Sequence, residues 1–228
     1  LVGTLELPGA VALAYDDAGM RLFAGTRSGE IRQIDTTQLD GLRASDPVDV
    51  DSGAFMTVHG QIRQLFSTND GSRLVAVLEP SGDGDARNIE PVVVLNTDAA
   101  TELGTAQLTD VRQITESTSG RVLVGTGSGI AVLDTDSGTV ASTLDVGGPV
   151  HGLVAIRDIE NDPIYASVMT AKGPIIQVVI AESGKDVRKD ATFPLPGSTA
   201  GRAFFDQAAR MVHVEGSVPN GHDGAGSD

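Results

Sequence analysis

An all-β fold built from a repeated unit of four short strands is predicted for this chain of 228 residues, and three observations predict it. The stretch RLFAGTRSGEIRQIDT, residues 21 to 36, returns one hundred positions later as RVLVGTGSGIAVLDT, residues 121 to 135. Related apolar segments begin at 21, 73, 121, 164 and 210, and their central residues Ala24, Ala76, Val124, Ala166 and Val212 are spaced by 52, 48, 42 and 46. Within each unit apolar residues alternate with period two between breaks of Gly, Asn, Asp and Pro, which is the pattern of strands and not of helices. A period near 47 made of four short strands is that of a β-propeller blade.

The elements follow in order. Each unit opens on an alternating inner strand (AVALAYD, QIRQLFS, VRQITES, GLVAIRD, GRAFFD), then a polar turn, then the segment noted above. A second turn leads to a third strand: EIRQID, PVVVLNT, IAVLDT and PIIQVVI. The fourth strand is TLDVGG at 143 and TFPLPG at 192, and TLELPG at 4 matches both. Residues 1–9 are thus expected to be the outer strand of a split blade, with blades at 10–50, 55–108, 109–147 and 148–197. Residues 198–228 are expected to form a partial blade ending in a polar tail. About five blades are represented, the first and last incomplete, and the open edges call for closure by a terminal strand. The start at Leu1 suggests a fragment or a processed chain.

Composition excludes several function classes. An apolar content of 40% with mean hydropathy near zero suits a folded, water-exposed domain, and no run approaches the roughly 18 apolar residues of a membrane helix. Thirty-one acidic against 16 basic residues give a net charge of −15, which disfavours a nucleic-acid partner. The absence of Cys removes disulfides, thiolate metal sites and cysteine nucleophiles. The absence of Trp and the presence of only two Tyr remove most stacking platforms.

The segment GSGIAVLDTDSGTVASTLDVGGPV, residues 127 to 150, resembles the YVTN and quinoprotein-like propeller repeats. In these a strand of the type "IAVID" precedes a "T-x-S/T-G" turn and a strand ending in "V-G-x-x-P". The resemblance implies the fold. It does not select an activity, because such repeats serve binding proteins, dehydrogenases, lactonases and accessory domains of bacterial envelope proteins. The motifs of quinone-dependent dehydrogenases and the WD dipeptide are missing, so no cofactor is expected.

Several stretches imitate chemistry. Gly125, Gly127 and Gly129 suggest a phosphate loop, but a strand follows them where such a loop needs a helix. Asp83, Asp85 and Glu90, or Asp134 and Asp136, could offer oxygen to calcium but lack the spacing of a calcium loop, so no metal is expected. No G-x-S-x-G elbow is present. His213 reads as a core or blade-face residue, and His222 falls in the polar tail.

Five residues remain as ligand-binding candidates. His59 and His151 both occur in Val-His-Gly at the start of an inner strand. Arg63, Arg112 and Arg202 lie four residues before Ser67, Glu116 and Asp206, the ends of three inner strands, and should share a height near the channel. A guanidinium there must meet a carboxylate, a carbonyl or a bound anion. The expected function is a non-catalytic binding or accessory domain of a larger bacterial envelope protein, such as the soluble tail of a membrane glycosyltransferase, lying outside the cytoplasm. The partner would be a protein or a small anionic ligand, and no part of the chain would enter a membrane. The alternative is a lactonase-like, metal-dependent hydrolase acting in the channel, and the alternative compartment is the cytoplasm.

Overall fold

The computed structural model describes residues 7–16, 20–39, 54–80, 89–156, 163–197, 199–206 and 209–216. The first sheet holds β1 (Ala10–Tyr15), β2 (Arg21–Thr26), β3 (Glu30–Asp35) and β4 (Ala54–Thr57). The second holds β5 (Ile62–Ser67), β6 (Arg73–Leu78), β7 (Ile89–Asn96) and β8 (Thr101–Thr109). The third holds β9 (Gln113–Glu116), β10 (Val122–Thr126), β11 (Gly129–Asp134) and β12 (Thr139–Leu144). The fourth holds β13 (Val150–Ala155), β14 (Pro163–Thr170), β15 (Gly173–Ile180) and β16 (Arg188–Pro194). A fifth sheet consists of β17 (Ala203–Asp206) and β18 (Met211–Val214). All pairs are antiparallel and follow chain order, which is the meander of a propeller blade.

One hydrogen bond fixes the register of every unit. The residue after the inner strand donates its N–H to the residue that begins or immediately precedes the second strand: Asp16 to Arg21 (2.9 Å), Thr68 to Arg73 (3.0 Å), Ser117 to Arg121 (2.9 Å) and Ile156 to Pro163 (3.3 Å). In the fifth sheet Asp206 stands opposite Met211 in the same way. Counting three residues back from these anchors gives Leu13, Leu65, Ile114, Leu153 and Ala203, all on the face toward the preceding sheet. Leu65, Ile114, Leu153 and Ala203 are 6%, 6%, 1% and 1% exposed, whereas Leu13, which has no preceding sheet among the described residues, is 58% exposed.

The core lies between the sheets. Ala14, Phe23 and Ile31 of the first meet Ile62, Leu65 and Leu74 of the second. The opposite face of the second, Val75, Val92 and Val94, meets Ile114, Val122 and Leu133 of the third. Leu123 and Ile130 of the third then meet Leu153, Ile164 and Val179 of the fourth. Both faces of β6 and β10 are buried, so they read as continuous apolar runs, while the outer strands β12 and β16 are mostly exposed.

The repeated Gly-Thr-x-Ser-Gly turn is structural. Thr26 Oγ1 donates to the Glu30 carbonyl and accepts from the Glu30 N–H, at 3.0 and 3.1 Å. Thr126 Oγ1 likewise donates to the Gly129 carbonyl at 2.9 Å. Gly29 has φ +85°, and a Cβ there would lie 2.3 Å from the Val58 carbonyl oxygen. Only glycine closes this hairpin against the segment that follows β4.

Two expectations shift. The first unit extends beyond residue 50, because Ala54–Thr57 pairs with β3, and the second unit's inner strand begins at Ile62. The outer strand expected at residues 1–9 falls largely on residues 1–6, outside the described residues; Leu7–Gly9 form a turn into β1, with the Ala10 N–H bonded to the Leu7 carbonyl at 3.1 Å. Asp83, Asp85 and His222 also lie outside the described residues, whereas Glu90 is in β7.

Candidate functional site

The inner strands carry an irregularity that builds the site. Register shifts at Ala10/Ala12, Ile62/Gln64 and Val150/Gly152 leave Val11, Arg63 and His151 as extra residues in β1, β5 and β13. In the third sheet the Arg112 N–H bonds to the Gly125 carbonyl while Gly125 also faces Gln113, which is the same two-against-one pairing. All four residues lie five positions before the anchors Asp16, Thr68, Ser117 and Ile156. A β-bulge re-aims the side chain it frees, and here it does so at one level in consecutive sheets.

Of these side chains, Arg63 reaches the following sheet. Arg63 Nη2 donates to the Val111 carbonyl at 2.7 Å and pairs with Glu90 at 2.9 Å. Glu90, buried in β7, accepts the Val111 N–H, so one carboxylate ties the second sheet to the start of the third. Burial pushes its carboxyl above the ordinary range and outweighs the Val111 hydrogen bond and the Arg63 charge; Asp110 and Glu79 add to the rise. Arg112 pairs with Asp110. Burial and then the Arg112 charge hold His151 below the ordinary histidine value, against an opposing pull from Asp110. At neutral pH the imidazole is uncharged and offers one donor and one acceptor.

Asp110 is held at φ +54°, a left-handed conformation that costs an L-residue about 1–2 kcal/mol. Its counterpart before β1, seven residues ahead of the anchor, is Gly9 at φ +75°. The chain thus keeps a carboxylate beside Arg112 where a glycine is easier.

The five sequence candidates fare differently. Arg63, Arg112 and His151 come together as one row. Arg202 does not: Asp206 is equivalent to Thr68 and Ser117, not to Ser67 and Glu116, so counting four residues back misses the row by one. The residue in register is Gly201, and Arg202 is exposed, opposite Glu215, whose N–H bonds to its carbonyl at 2.9 Å. His59 is exposed in the bend before β5, four residues ahead of Arg63, so the two Val-His-Gly segments are not equivalent. His213 stacks on Phe204 with ring centroids 5.0 Å apart.

A second row of arginines joins consecutive sheets. Arg21 bonds to Asp16 at 2.9 Å and to the Gly71 carbonyl of the next sheet at 2.8 Å. Arg73 bonds to the Thr135 carbonyl at 3.1 Å and to Asp136 of the following sheet at 2.8 Å. The signal stands in the repeat itself, where Arg opens the second strand at 21 and 73. Arg21 and Arg73 tie sheets together at the opposite ends of the inner strands. Among the described residues there is no group of three or more His, Asp or Glu able to hold a metal ion, and no helix long and apolar enough to cross a membrane.

No protein-family description matches the sequence, and no curated protein matches it. Among solved structures, a WD40-type propeller chain in a structure described as "Crystal Structure of Mitotic Checkpoint Complex" superposes with a TM-score of 0.61 at 15% identity. The match covers 90% of this chain and 57% of that one, so this chain spans little more than half of its structural neighbour. With the four-stranded sheets described above, this likeness assigns the chain to the β-propeller fold.

Proposed function

We propose that this chain is a non-catalytic protein-interaction module that docks a partner at the end of the propeller carrying the bulge row Arg63, Arg112 and His151. The observation behind this reading is the placement of Arg112, His151 and the strained Asp110 together at one end. The Arg112–Asp110 pair is exposed, at 38% and 45% of the two side chains, so it is worth only about 0–1 kcal/mol. Such a pair exchanges readily for a partner's carboxylate. Arg is also favoured at the centre of interfaces, and neutral His151 adds a donor and an acceptor beside it. Arg63, held by Glu90 and Val111, serves as the fixed floor of the site.

The superposed neighbour is a chain of a multiprotein complex, which agrees with a protein partner. In this reading the chain is an accessory domain of a larger bacterial envelope protein outside the cytoplasm, on the strength of the resemblance of residues 127 to 150 to YVTN repeats. The experiment is an array of acidic, neutral and basic peptides probed with the wild-type chain and with Arg112→Ala. Acidic peptides that bind the wild type and lose the variant support the reading. Binding indifferent to Arg112, or no binding to any peptide, overturns it.

A further inference from the structure

The second and third sheets touch at one end of their outer strands and part at the other. In the middle of β8 a Cβ on Gly104 would lie 2.2 Å from the Ser137 carbonyl oxygen of the β11–β12 turn, so backbone meets backbone there. Toward the end that carries Arg112, the β7–β8 ladder runs on as far as the pair Ile89 and Thr109. There a cleft of about 280 Å³ opens between Leu108 and Thr109 on one side and β11 and β12 on the other. The Gly127 N–H closes its inner side by bonding to the Thr109 carbonyl at 3.2 Å. Every residue that lines the cleft is among the described residues. Its size suits one side chain or a very small molecule, because sites for drug-sized ligands take about 300–1,000 Å³.

The polar groups of the cleft are aligned as acceptors. Thr126 shares a face of β10 with Val124, which packs against the second sheet. Its hydroxyl donates to the Gly129 carbonyl at 2.9 Å, and its lone pairs take the Ser128 N–H at 3.3 Å and the Ser128 hydroxyl at 3.4 Å. With its own proton so engaged, Ser128 Oγ has only lone pairs to offer a ligand. Thr143 stands opposite Ala131, a residue of the core between these two sheets, and shares its face. Asp145 is the one ionisable residue that lines the cleft. One of its oxygens accepts the Gly147 N–H at 2.8 Å, which fixes the carboxylate, and among the described residues it has no cationic partner. Leu108 and Ala131 form a buried apolar floor.

We propose that this cleft binds a primary alkylammonium group, with its methylene stem on Leu108 and Ala131 and its three N–H donors shared among the Asp145 carboxylate and the Ser128 and Thr143 hydroxyls. An ammonium is a donor with no lone pair, which is what a lining of acceptors requires, and its stem covers apolar surface while its head stays polar. The net charge of −15 draws cations toward the surface as a whole. The corresponding turn of the first unit keeps the hydroxyl pair, Thr26 and Ser28 at 2.9 Å, but Arg27 and Arg32 line the cleft beside it and oppose a cation. Gly127 stands where that unit has Arg27. The cleft shares an end with the bulge row but no residue, so neither reading rests on the other.

The test is an NMR titration of the whole chain with n-butylammonium at constant ionic strength. The amide signals of Ser128, Thr143 and Asp145 should shift saturably. Tetramethylammonium, which has charge but no N–H, and n-butanol, which has the stem but no charge, should each bind at least about tenfold more weakly. Asp145→Asn keeps an acceptor for the Gly147 N–H, so the turn is preserved, and should lose n-butylammonium by a similar factor. Asp186→Asn, an exposed carboxylate between β15 and β16, should leave binding unchanged. A short capped glycine peptide with one central lysine identifies the source of the group: tighter binding than n-butylammonium assigns it to a partner's lysine, and equal binding assigns it to a free amine. No saturable shift, equal binding of tetramethylammonium, or full binding by Asp145→Asn would each overturn the proposal.

Discussion

Replacing Glu90 with Ala removes the acceptor that ties the second sheet to the third. The change strands the N–H of buried Val111 and leaves the Arg63 guanidinium with the Val111 carbonyl as its remaining partner. An unsatisfied buried donor costs about 1–3 kcal/mol. The lost ion pair adds no more than about 1 kcal/mol, because a third of the Arg63 side chain is in water. Relief of the buried carboxylate works in the opposite direction, so Ala should lose about 1–3 kcal/mol in all. Glu90→Gln separates these contributions by keeping an acceptor for Val111 while dropping the charge. The folded carboxyl titrates above its unfolded value of 4.5, so its stabilising contribution is complete below that pH and is lost as pH rises through the folded value. Gln does not titrate. Melting temperatures taken from about pH 4 to about pH 7 should therefore show Glu90→Gln gaining on the wild type as pH rises. A variant that instead falls further behind with rising pH refutes the assignment of burial as the dominant influence on Glu90.

Equivalent strand positions should respond unequally to the same change. Leu153→Ala should cost about 2–5 kcal/mol by urea unfolding, because it empties a fully packed site. Leu13→Ala, at the uncovered end, should stay within about 0.5 kcal/mol, and equal costs would show that another body covers the first sheet. Asp110→Gly relieves a left-handed residue and should stay within about 1 kcal/mol of the wild type, whereas Asp110→Val should lose more. A larger loss for Gly than for Val contradicts the strain assigned to this position.

Much of the fold could be read from the residues because propeller strands write their burial plainly. RLVAVL and IAVLDT are apolar on both faces and sit between sheets, while the outer strands β12 and β16 are mostly exposed. The unit boundary near residue 50 was misplaced because β4, AFMT, is short and lies beyond a stretch with no strand pattern. Site geometry was harder to read, because a bulge inserts one residue without any mark in composition. Arg63, Arg112 and His151 share a register only when counted from the hydrogen-bonded anchors. The ends of the inner strands are ragged, and counting from them admitted Arg202 and left out the equivalence of His151 with the two arginines. Glu90 and Asp110 were invisible as partners because each meets its arginine through folding, from a third strand and from a left-handed turn.

The claim that Arg112 and His151 form one coupled site is tested most directly by the pKa of His151, followed by NMR in the wild type, Arg112→Ala and Arg202→Ala. The His151 value should lie below that of an ordinary histidine in the wild type, rise toward it when Arg112 is removed, and stay put when Arg202 is removed. A His151 that titrates identically with and without Arg112, or that responds to Arg202 instead, contradicts the bulge register and the site built on it.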